Sequence, residues 1–107
     1  MTLSEIIKDK LNERYINLMN WNNLELQRSR IIRKFDAEYE KIVVEIKNKP
    51  FGTNYSIRAA VRNSTKMQKY RNEMSINNTN RKVVIKNLTQ LKQEIKTLNV
   101  ANSKLTK

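Results

Sequence analysis

The sequence predicts an all-α protein: a long helical hairpin with a kinked first helix and a turn at 50–54, then a short basic helix and a C-terminal coiled-coil-like helix. Three observations predict it. One Gly and one Pro in 107 residues leave too little turn chemistry for a many-stranded β fold. Apolar residues recur every three or four positions along most of the chain. The one strong breaker, Lys49-Pro50-Phe51-Gly52-Thr53-Asn54, lies near the middle and joins two helical stretches that should run antiparallel. The length suits a single helical domain over 1–107. At 38 % apolar, the composition is thin for a globule and suits a helical hairpin or an assembly completed by copies of itself.

Thr2 followed by Glu5 reads as a capping box at the start of the first helix. Leu3, Ile7, Leu11, Tyr15 and Leu18 follow at helical spacing, with charges of mixed sign between them. Asn20-Trp21-Asn22-Asn23 interrupts the pattern, and three poor helix formers in four positions predict a kink or short break. Trp21 reads as a packing anchor. From Leu24 to Lys49 the helix resumes, with Ile31, Phe35, Ile42 and Ile46 as its apolar stripe. Arg28, Arg30, Arg33 and Lys34 read as a solvated face balanced by Asp36, Glu38 and Glu40, with a second phosphate-contact patch as the alternative. At the turn, Gly52 permits a left-handed residue and Phe51 is expected to fold back onto the hairpin end.

Tyr55 to Met74 forms the basic helix, with Asn54 or Ser56 as its cap. Arg58, Arg62, Lys66 and Lys69 fall within about 80° of one another on one helix, opposite Ile57, Val61 and Met67. Arg71 adds a fifth cation, and Tyr55 and Tyr70 flank the stripe. Ile76 to Asn80 reads as a connector, with Thr79 or Asn80 capping the last helix. There Val84, Leu88, Leu91, Ile95 and Leu98 alternate steps of four and three, continuing through Asn102 to Leu105 as a coiled-coil seam. The seam suits the chain's own first hairpin or a second subunit, and the low apolar content favours a homo-oligomer. Fraying is expected from Lys104 to Lys107.

Charge is sorted along the chain. Met1 to Lys49 holds 10 bases and 8 acids, whereas Pro50 to Lys107 holds 12 bases and 2 acids. Codon bias inflates lysine but does not segregate it, so the net charge of +12 points to a polyanionic partner for the second half. A cationic stripe beside tyrosines is what single-strand binders use to hold phosphates and stack bases. The absence of Cys and His excludes thiolate zinc sites, Cys nucleophiles and His acid–base chemistry. No Gly-rich phosphate loop and no oxygen-ligand cage is present in the sequence, so no enzyme activity, cofactor or metal is expected. The longest apolar runs, Ile42-Val43-Val44 and Val83-Val84-Ile85, are too short for a bilayer, and no apolar leader follows Met1. A soluble cytoplasmic protein without a membrane partner is expected. The reading that follows is a non-catalytic, single-stranded-DNA-binding accessory protein. The alternative is a small helical adaptor or inhibitor whose basic face meets an acidic protein surface.

Trp21, the helix through Phe35-Asp36-Ala37 and Glu40-Lys41-Ile42-Val43-Val44-Glu45-Ile46-Lys47, the turn at Phe51-Gly52, and a later helix closing on Ile95-Lys96-Thr97-Leu98-Asn99 form one layout. It resembles the recombination mediator proteins of T4-type phages over roughly Trp21 to Leu105. The resemblance implies a ring-forming oligomer that binds single-stranded DNA and helps load a recombinase over a single-strand-binding protein. It also implies that Lys41, Lys47 and Lys49 join the DNA surface.

Overall fold

The computed structural model describes residues 1–105 and contains three helices there, with no strand: α1 (Leu3–Lys47), α2 (Asn54–Asn63) and α3 (Thr65–Leu105). The all-α class and the two long helices are as expected. The chain divides into two compact units: Met1–Glu25 with Thr79–Lys107, and Leu26–Asn78. In the first, α1 and α3 run antiparallel. Lys10 pairs with Glu94 at 3.0 Å, Asn17 accepts from Asn87 at 3.4 Å, and Glu25 pairs with Arg81 at 2.6 Å.

Both Asn-rich stretches are continuous helix, so the expected kink at 20–23 is not a break and the connector at 76–80 is not a connector. Asn costs only tenths of a kcal/mol relative to average helix formers, which packing readily offsets. Trp21 packs as an anchor: the Arg81 guanidinium lies 4.8 Å from its ring centroid, a cation–π contact. Asn77 is 1 % exposed and donates to Gln27 Oε1 at 2.9 Å. These polar residues keep the heptad step. In the second unit Met67, Tyr70, Met74 and Asn77 follow it; in the first, Arg81, Val84, Leu88, Leu91, Ile95, Leu98 and Asn102 do, and none is exposed. The seam on α3 thus starts at Met67, seventeen residues before Val84, where the apolar spacing first becomes regular.

That seam is filled within the chain. Val84 and Leu91 are buried, and Leu88, Ile95 and Leu98 half-buried, in a unit whose other helix among the described residues is α1. Of the two expected uses of these five residues, oligomer or core seam, packing on α1 of the same chain is the one seen here. On α1 the half-buried side carries Leu3, Ile7, Lys10, Asn17 and Trp21, whereas Leu11, Tyr15 and Leu18 lie exposed. The expected stripe was two stripes merged.

In the second unit all three helices meet. Ile42, Ile57, Val61 and Met67 form the buried cluster, with Phe35, Val43, Ile46, Ala60 and Tyr70 packed around it. Burial of each large aliphatic there contributes about 1.5–3 kcal/mol. Arg28 is half-buried in line with Ile31 and Phe35, so it leaves the solvated face that Arg30, Arg33 and Lys34 keep.

The turn departs from expectation in three ways. Thr53 is the N-cap of α2, its Oγ1 accepting from the Ser56 amide at 3.1 Å, in place of Asn54 or Ser56. Phe51, not Gly52, takes the left-handed backbone, with φ of 68°. Phe51 also stands 95 % exposed and does not fold back. Gly52 is required for space, because a Cβ there would lie 2.1 Å from the Ile46 carbonyl oxygen. At the other end α3 holds to Leu105; the fraying expected at Thr106 and Lys107 lies outside the described residues.

Candidate nucleic-acid interface

The basic segment is not one helix. Ser64 adopts an extended backbone (φ −69°, ψ 122°), ends α2 and starts α3, its Oγ accepting from the Met67 amide at 3.3 Å. Gln68 ties the break by donating to the Arg62 carbonyl at 3.1 Å. No Gly or Pro marks this site. Its signal is the run Asn63-Ser64-Thr65, three residues whose short polar side chains favour caps over helix interiors.

The break splits the cationic stripe into two pairs on two helix axes. On α2, Ile57 and Val61 are buried, and Tyr55, Arg58 and Arg62 are exposed within about 60° of one another, on a face centred roughly 110° round the helix from the buried pair. On α3, Lys66 and Lys69 are exposed about 60° apart, with half-buried Glu73 on the same side. Arg71 lies elsewhere, roughly 160° from Lys69, at an apolar depression of about 250 Å³ that Asp36 also lines. Tyr70 lines that depression and packs on the core, so its ring is not a free platform. Tyr55 is, at 76 % exposed. Lys47 closes α1, and Lys49 follows in the turn, both exposed.

Among the described residues, Lys47, Lys49, Arg58, Arg62, Lys66, Lys69 and Arg71 form no ion pair. The other unit treats several cations differently. Lys10 sits between Glu94 at 3.0 Å and Glu13 at 3.7 Å. Its hydrogen bond to Glu94 is the main reason the lysine pKa is raised. The same bond, with a second from Gln90 at 3.0 Å, lowers the Glu94 carboxyl. Lys82, Lys86, Lys92 and Lys96 are nonetheless exposed on α3 there. The expected set, 55–74 with Lys47 and Lys49, does not include them, although the charge of the whole second half does.

The chain matches no protein-family model, no curated protein and no solved structure. Among the described residues, no three His, Cys, Asp or Glu side chains are grouped to hold a metal ion, and no helix is long and apolar enough to cross a membrane.

Proposed function

We propose that this is a non-catalytic accessory protein that holds single-stranded DNA on the outer faces of α2 and of the start of α3. The observation that carries the reading is the set of exposed cations left without carboxylate partners around an exposed tyrosine, in the unit that also holds most of the buried core. Phosphates supply the missing counter-charge, and an aromatic face beside them accepts an unpaired base. Arg58, Arg62, Lys66 and Lys69 are the main contacts, Lys47 and Lys49 extend the track, and Tyr55 stacks. The resemblance to phage recombination mediators suggests the setting: loading of a recombinase where a single-strand-binding protein is displaced.

The test is fluorescence anisotropy with single-stranded oligonucleotides over a salt series. Four phosphate contacts give log K a slope of about −3 against log salt. Replacing the four cations by Gln should abolish binding and leave helicity, read by circular dichroism, unchanged. Undiminished affinity in that variant overturns the assignment.

A second reading concerns protein contacts, and a separate observation favours it. Leu11, Tyr15, Leu18 and Met19 lie within about 100° on α1 and are all exposed. Residues 1–25 carry Lys8, Lys10 and Arg14 against Glu5, Asp9, Glu13 and Glu25, so this part of a strongly basic chain is near neutral. Two copies meeting through α1 here bury apolar surface without opposing their basic regions. A homo-oligomer is therefore retained, on a different surface from the α3 seam.

A further inference from the structure

We infer that Phe51 is a stacking residue for an unpaired nucleobase, presented at the tip of the turn between α1 and α2. This rests on the single-strand reading above and deepens it. Lys49-Pro50-Phe51-Gly52 is a hydrogen-bonded turn, the Gly52 amide donating to the Lys49 carbonyl at 3.2 Å. Pro in its second position and a positive φ in its third give the type II pattern, whose third position favours Gly or Asn. The glycine instead stands one place later, where the Ile46 carbonyl leaves no room for a Cβ. The left-handed position thus falls to an aromatic residue.

Neither the backbone nor the ring of Phe51 helps the fold. A left-handed conformation is unfavourable for a residue with a Cβ, and a phenyl ring that is 95 % exposed buries almost nothing. Strain held in place against stability is a recurrent property of ligand contacts. The surroundings indicate the ligand. Lys47 and Lys49 precede the ring, Tyr55 stands four residues after it, and Arg58 and Arg62 follow on the same helix face as Tyr55. No acidic residue occurs from Ile46 to Asn72. A flat aromatic among unopposed cations matches a base carried on a phosphate chain.

The experiment compares the wild type, Phe51→Gly and Phe51→Tyr, each titrated with an oligothymidylate and with an abasic strand of equal length at one salt concentration. On the thymidylate, Phe51→Gly should lose on the order of tenfold in affinity and Phe51→Tyr should match the wild type. On the abasic strand, Phe51→Gly should bind as the wild type does, because phosphate contacts remain and there is no base to stack. The Tm of Phe51→Gly should rise as the strain is relieved. Equal thymidylate affinity for wild type and Phe51→Gly overturns the stacking role alone, as does an equal loss on both strands or a fall in Tm. A wild type that binds neither strand, or an Arg58→Gln/Arg62→Gln variant that binds as well as the wild type, overturns the single-strand reading and Phe51 with it.

Discussion

Gly52→Ala is a sharp test of the packing at the turn. The added Cβ would start 2.1 Å from the Ile46 carbonyl oxygen and 3.0 Å from its carbon, both backbone atoms that cannot rotate aside. Real Cβ atoms essentially never come closer than 3.0 Å, so turn and helix end must separate by roughly 1 Å. That carbonyl also accepts the Lys49 amide at 3.1 Å, a bond that the displacement weakens. Because the φ of Gly52 is not positive, the penalty is steric with no left-handed component. Overpacking of this kind costs about 1–3 kcal/mol, and weakening one hydrogen bond adds a fraction of about 1 kcal/mol. A loss of about 2 kcal/mol lowers Tm by roughly 8–16 °C for a chain of this size. Thermal unfolding followed by circular dichroism reads it. Should the two units melt separately, the shift belongs to the transition containing Ile42, Ile57, Val61 and Met67, and the other stays in place. A Tm within about 1 °C of wild type refutes the reasoning, because it means the turn is not seated against α1.

Met67 is fully buried where α2 and α3 meet α1, so Met67→Ala should cost about 2–5 kcal/mol in chemical denaturation. The Lys10–Glu94 pair gives a pH dependence with two flanks. The lowered carboxyl of Glu94 contributes above the ordinary carboxylate range and is lost as pH falls through its folded value. The raised Lys10 contributes below the ordinary lysine range and is lost as pH rises through its folded value. Denaturation across pH should show a shallow plateau between these flanks, and Glu94→Gln should flatten the acid one. Leu11→Ser with Leu18→Ser should lower the mass seen by light scattering while leaving helicity intact, and an unchanged oligomer excludes that face.

The class, the turn and most of the core were legible because they depend on local signals: apolar spacing, Pro50, and a cap at Thr2. Ile31, Ile42, Ile57, Val61 and Met67 all lay on stripes that periodicity identifies, and all are buried. Polar residues at core positions were not legible. Asn77 and Arg81 occupy seam positions, and a count of apolar residues treats each as a gap, so a helix of 41 residues looked like two. Extending the four–three step backward from Val84 reaches Arg81, Asn77, Met74, Tyr70 and Met67 in turn, which is the signal that was available. The site was legible in composition and not in geometry. The residues of the cationic stripe are exposed as expected, but one serine turns the chain between Arg62 and Lys66 and divides them.

The polar contacts in the first unit have a consequence for how such a chain can change in length. Lys10 meets Glu94, Asn17 meets Asn87 and Glu25 meets Arg81, like rungs that each fit only one opposite rung. Adding seven residues to one rail alone would bring Asn17 opposite Asn80 or Glu94 in place of Asn87, and Lys10 opposite Asn87 or Ala101 in place of Glu94. Only matched insertions on both rails keep every rung joined, so variants that differ in span should differ by whole paired heptads.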